Sequence, residues 1–175
     1  MNTLPLTPVA GWKTRPEAHP HCTTSGIAYD HSGRVVLIHR SDKVRSAKNC
    51  WSIPSGLHEV GVTLEEQFAT ELTEELGLIA EPSTAIQLGV YENIAVGDGW
   101  HWVIYVCAMR VQSFDTLVNN EPDKHDIIEV LEWHDFVNRV NNGTWAPNLG
   151  QFLQRQLQRG LGLQVDNVTG ALLCV

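Results

Sequence analysis

Residues 56–78 read GLHEVGVTLEEQFATELTEELGL, and this stretch decides the fold. Glu71, Glu74 and Glu75 stand at i, i+3 and i+4, just ahead of a helix-stopping glycine, Gly77. At the rotation of an α-helix those carboxylates fall within roughly a 100° arc of one face. Three acids so crowded repel one another unless something positive sits between them. A hard divalent cation with oxygen ligands, Mg²⁺ above all, answers that need. The helix is signposted at both ends. Thr63 with Glu66 three residues later forms a capping box, and Gly77 suits a left-handed C-terminal position. Leu64, Phe68, Leu72 and Leu76 recur every four residues as an apolar stripe beside the acids. Read from charge pattern alone, the acids are equally consistent with an ordinary solvated face.

The flanking residues add to this reading. Trp51-Ser-Ile-Pro-Ser-Gly56, then Gly61, then Glu71 to Leu78 resembles the signature of the Nudix hydrolases, G-x5-E-x7-R-E-U-x-E-E-x-G-U with U aliphatic. Gly56, Glu71, Leu72, Glu74, Glu75, Gly77 and Leu78 match. Val62 stands in place of the first Glu, Thr70 in place of the Arg, and Ser55 where a first glycine is common. The resemblance covers roughly residues 22–158. It implies hydrolysis of a phosphoanhydride in a nucleoside diphosphate linked to a further moiety, with Mg²⁺ (or Mn²⁺) activating water. By the same resemblance Glu71 and Glu74 are the catalytic candidates. Glu71, Glu74, Glu75, the Ser55 carbonyl and Glu121 are the metal candidates, with Asp123 and Asp126 as rivals to Glu121.

Composition agrees with a single enzyme domain. The chain has 175 residues and a net charge of −8, from 12 basic and 20 acidic residues. That balance argues against a surface-wide polyanion groove and against sequence-specific nucleic-acid binding. It leaves open a small phosphorylated ligand bridged by metal. The N-terminus has no long apolar run, so no membrane association is expected. Cys22, Cys50, Cys107 and Cys174 lack C-x-x-C spacing, which fits a reduced, cytoplasmic setting.

Along the chain, residues 1–21 are expected to form a Pro-rich arm that includes His19 and His21. Residues 22–159 form the catalytic domain, and 160–175 an apolar tail able to pack on the fold or in a homodimer. Strands are expected at 24–29, 34–39, 85–95, 100–111 and 129–133, and a second amphipathic helix at 148–159. Strands and helices in that order make an α+β domain, an α/β/α sandwich with a mixed sheet between helices. Arg40, Lys43, Arg45 and Lys48 lie where basic groups can meet phosphates, and Trp102 (or Trp100) can stack a base. Asn119 to Trp133 resembles an EP-x-K…W segment of members that hydrolyse nucleoside triphosphates, so a (d)NTP is the expected substrate. A sugar nucleotide such as GDP-mannose or ADP-ribose is the alternative, and a non-catalytic nucleotide-binding module is the rival class.

An Arg at position 70 would lie one turn before Glu74 and could pair with or orient it. Family members often pair the two missing residues with each other. Losing both leaves no orphaned charge, whereas losing one would. Restoring Val62→Glu and Thr70→Arg together is therefore expected to raise kcat/KM by more than the two single changes combined, measured as a double-mutant cycle.

Overall fold

The computed structural model describes residues 20–95 and 100–159, with the short segments 164–165 and 172–173. Residues 1–19, 96–99 and most of 160–175, including the expected N-terminal arm with His19 and most of the expected tail, lie outside the described residues.

Seven strands form one mixed sheet: β1 (His21–Tyr29), β2 (Val35–Arg40), β3 (Cys50–Ser52), β4 (Ser55–Leu57), β5 (Ile86–Ala95), β6 (Trp100–Arg110) and β7 (His125–Leu131). The main path runs β3-β2-β1-β6-β5, with β4 paired to β1 and β7 to β2. β1 and β6 are parallel, and the other pairings are antiparallel. A two-residue ladder joins β8 (Gln164–Val165) to β9 (Leu172–Leu173).

The sheet is buried on both faces, which explains why β2 reads Val-Val-Leu-Ile without alternation. Successive side chains point to opposite faces. Ile27, Val35, Leu37, Ile104 and Val106 therefore pack on one side against Phe136 and Val140 of α2 (Trp133–Asn142) and Leu149, Phe152 and Leu153 of α3 (Leu149–Gln158). Ala28, Val36, Ile38, Cys107 and Met109 pack on the other against Phe68, Leu72 and Leu76 of α1 (Leu64–Leu76). The result is the α/β/α sandwich expected from the order of elements. No helix among the described residues is long and apolar enough to cross a membrane.

α1 forms as its sequence dictates. The Thr63 hydroxyl accepts the Glu66 N–H at 3.2 Å, and the Glu66 carboxylate accepts the Thr63 N–H at 2.9 Å. Gly77 adopts φ 66°, which lets the Gly77 and Leu78 N–H groups fold back on the carbonyls of Thr73 and Leu72.

Several boundaries differ from the sequence reading. β1 starts at His21, three residues before the expected strand, so His21 belongs to the sheet rather than to an arm, and its ring packs 4.9 Å from that of Trp102. β7 starts at His125, not 129, and Trp133 opens α2 instead of closing a strand. α2 escaped notice because its surface is polar, although Trp133, Phe136 and Val140 keep helical spacing. β3 and β4 are three residues each, too short for a periodic signal.

Leu72 is fully buried between α1 and the sheet. Leu72→Ala should lower unfolding free energy by about 2–5 kcal/mol, read from urea denaturation at unchanged m-value.

Candidate active site

Two of the three box carboxylates turn inward. Glu71 and Glu75 are one helical turn apart and face β4, whereas Glu74, a further 100° around the helix from Glu75, is exposed. Glu75 is 5% exposed, and one of its oxygens accepts the Ser55 N–H at 3.4 Å. Glu71 lies directly over Gly56. A Cβ at that position would overlap the Glu71 carboxyl group, so the glycine is required by close approach rather than by backbone angle. Gln67, 4% exposed, donates from Nε2 to Glu71 Oε1 at 2.7 Å while its own Oε1 accepts the Glu59 N–H at 3.1 Å. That relay fixes one Glu71 oxygen and leaves the other without a protein donor. Sequence reading missed Gln67; its spacing of four residues from Glu71 was the available signal.

The opposite wall comes from residues 119–125. Asn119 accepts the Glu121 N–H at 3.1 Å and donates to the His125 carbonyl at 2.7 Å, closing a tight loop. Glu121 thereby faces the helix, and its Oε2 is buried with no hydrogen-bond partner. His125 joins it through a bulge. Ile127 pairs with His39 but His125 pairs with Arg40, so Asp126 is the extra residue in β7. Strict alternation would put His125 on the α2/α3 side with Leu131. The slip moves it to the α1 side with Ile128 and Val130, where it is 1% exposed. Asp126 turns outward to His39, 2.7 Å away. One ligand-type atom each from Glu75, Glu121 and His125 lies within 4.8 Å of the others.

The electrostatics follow from this crowding. Burial first, then the charges of Glu71 and Glu121, push the Glu75 carboxyl up to about 8. Burial also raises Glu71, partly opposed by the Gln67 hydrogen bond. Burial drives His125 down to about 4, so its ring is neutral near pH 7. Lys124, paired to Glu121 Oε1 at 2.6 Å, is 59% exposed and supplies only partial compensation. A buried carboxylate centre with an orphaned oxygen, a glycine floor cleared for Glu71 and hard oxygen donors fits a divalent cation. Asp123 does not share this position: it is exposed and pairs with Lys43 at 2.5 Å.

The candidate substrate groups are more scattered. The Arg40 guanidinium donates to the carbonyls of Ala47 and Ser46, each at 3.0 Å, bracing the 41–49 loop, and its charge reaches His125. Lys43 is committed to Asp123, Arg45 is exposed on the same loop, and Trp102 is half-buried in β6.

Comparison with known proteins identifies the family of the fold. The family model for the NUDIX domain matches residues 19–156. Over 81 residues, 46% of this chain and 45% of the relative, the chain is 37% identical to an ADP-ribose pyrophosphatase of Methanocaldococcus jannaschii. The match thus spans less than half the length of that relative. The fold superposes on a MutT NUDIX hydrolase from Burkholderia pseudomallei with TM-score 0.56 and 27% identity, covering 65% of this chain and 84% of that one. It also superposes on the NUDIX domain of Shewanella oneidensis NrtR, determined with ADP ribose, with TM-score 0.62 and 13% identity, covering 86% and 94%. The chain belongs to the Nudix hydrolase family.

The raised Glu75 and lowered His125 set a pH dependence for the metal-free protein. A carboxyl raised on folding binds its proton more tightly in the native state, so its contribution falls as pH rises from about 4.5 towards 8. A histidine lowered on folding acts oppositely between about 4 and 6.5. The two largely cancel below pH 6.5, leaving a net loss of up to about 1.4 kcal/mol per pH unit above it. In EDTA, Tm should therefore drop from pH 6.5 to 8, and Glu75→Gln should flatten that drop.

Proposed function

We propose that the protein is a divalent-metal-dependent pyrophosphohydrolase acting on a nucleoside diphosphate or triphosphate derivative, with a (d)NTP as the leading substrate. The observation that carries this reading is the convergence of Glu71, Glu75 and Glu121 on one buried centre at the end of the Nudix box. Glu75, Glu121 and the Ser55 carbonyl would hold the cation, with Glu71 beside them and the exposed Glu74 available at the rim for a further ion or for phosphate-bound water. When bound, the cation neutralises phosphate oxygens and lowers the pKa of water.

The chain's own groups do the rest. Gln67 holds Glu71 Oε1, so Glu71 Oε2 is the base that takes the proton from the attacking water. The burial that raises Glu71 brings its basicity closer to the working pH. Lys124 holds Glu121 through Oε1, which leaves Oε2 for the cation. Arg40, Lys43, Arg45 and Trp102 are proposed to contact the substrate beyond the reacting phosphates.

The Glu121-Pro-Asp-Lys124 segment with Trp133 supports a triphosphate. Identity to the archaeal ADP-ribose pyrophosphatase supports ADP-ribose as a second reading. The three described cysteines are unpaired, in keeping with a cytoplasmic enzyme, and we include Mg²⁺ or Mn²⁺ as cofactor and a homodimer as its assembly.

The test is product release from (d)NTPs, ADP-ribose, GDP-mannose and dinucleoside polyphosphates with Mg²⁺ or Mn²⁺. Metal-dependent turnover is expected. It should fall by about 10²–10⁴-fold in Glu71→Gln and disappear in Glu75→Gln. Binding without turnover across the whole panel would instead assign a non-catalytic nucleotide-binding module.

A further inference from the structure

Among the described residues, His125 is the buried polar side chain whose surroundings the hydrolytic reading leaves unexplained. It is 1% exposed, its Nδ1 is buried without a partner, and its Nε2 stands 3.9 Å from Glu75 Oε1. That separation is too long for a hydrogen bond. Glu121 Oε2, in the same cluster, is likewise buried and unpartnered. Buried polar groups without partners are rare; here Glu121 Oε2 has none, and His125 Nε2 and Glu75 Oε1 stand close without touching, with one donor atom of each of the three residues within 4.8 Å of the others. A cation about 2.1 Å from each donor atom bridges a gap of this size, which a direct contact does not.

We propose that His125 is a nitrogen ligand of the catalytic cation, making the centre a mixed imidazole–carboxylate site that favours Mn²⁺ or Co²⁺ over Mg²⁺. Two features of the chain support the assignment independently of the cluster. The bulge at Asp126 is what turns His125 to the carboxylate side of the sheet, and bulges beside a site serve to re-aim a side chain. Asn119 then holds the His125 carbonyl and the Glu121 N–H together, so the two donors are carried on one closed loop and move as a unit. Both signs of charge act on the ring: Glu121 and Asp126 on one side of the balance, Arg40 and Lys124 on the other, with Lys124 paired to Glu121 and Arg40 to the carbonyls of Ala47 and Ser46. Imidazole is a softer donor than carboxylate or water, and affinity for nitrogen-bearing sites rises from Mn²⁺ to Co²⁺ while Mg²⁺ prefers oxygen alone.

The inference rests on the metal-dependent reading above, but its test does not use turnover. Metal-free full-length protein is loaded with Mn²⁺ and its bound ion examined by pulsed EPR for coupling to an imidazole ¹⁴N, with ¹⁵N-histidine-labelled protein as the control. Wild-type protein should show the nitrogen coupling. His125→Asn should lose it and bind Mn²⁺ about 10–100-fold more weakly, with a smaller change for Mg²⁺, titrated in parallel. Mn²⁺ bound by oxygen alone in the wild type overturns the role of His125 and leaves the hydrolytic centre standing. Binding of Mg²⁺ without Mn²⁺ likewise overturns the role of His125 alone, and failure of the wild type to bind either ion overturns both. Because the wild-type spectrum decides the first question, the outcome does not depend on how well His125→Asn folds; its thermal melt is recorded alongside.

Discussion

The constraint on which the candidate site depends is the burial of one carboxylate, Glu75, beside two half-buried ones, Glu71 and Glu121. Glu75 is almost fully buried, with Glu71 and Glu121 near enough to raise it further. Such an arrangement costs stability unless a positive charge enters it. The apolar side of α1 makes this tolerable. Phe68, Leu72 and Leu76, each fully buried, anchor the helix on the sheet, and the acids are held on the same rigid rod. Gln67 and Gly56 fix the Glu71 carboxyl from two sides, and an acid free to relax would swing to solvent.

The two-faced sheet is the frame for that rod. β1 and β2 are buried on both sides, so each carries one set of side chains to α1 and another to α2 and α3. The short strands β3 and β4 extend this frame to the base of the site and deliver Ser55 and Gly56 beneath the acids. β7, paired to β2, brings the opposite wall. The site is thus assembled from three separated stretches of chain, around residues 55, 71–75 and 121–125.

The departures from the family signature fall on the solvent side of this assembly. Val62 is 37% exposed. Thr70 is exposed, and its hydroxyl donates to the Glu66 carbonyl at 3.0 Å. Charges at these positions would lie at the periphery, and their joint absence strands no buried partner. α1 is held in this chain by the capping box at Thr63 and by Gln67, which ties it to the Glu59 backbone.

The sequence by itself determined the site's central helix. Capping residues, an apolar stripe of period near four and a terminal glycine are local signals, so Thr63, Phe68 and Gly77 could be assigned roles before any tertiary contact was known. The sandwich followed from the order of strands and helices, and the gathering of Glu71, Glu74 and Glu75 on one arc of α1 from helical rotation. Tertiary structure alone decided which acids face inward, since Glu74 and Glu75 are adjacent in sequence and differ only in which side of α1 the sheet covers. It alone brought in Gln67, whose burial depends on the chain around Glu59 folding back over α1. His125 was beyond reach of any periodic reading. A bulge of one residue reverses the face of every position before it, and where the ladder slips is set by pairing with β2, not by residues 125–131 themselves.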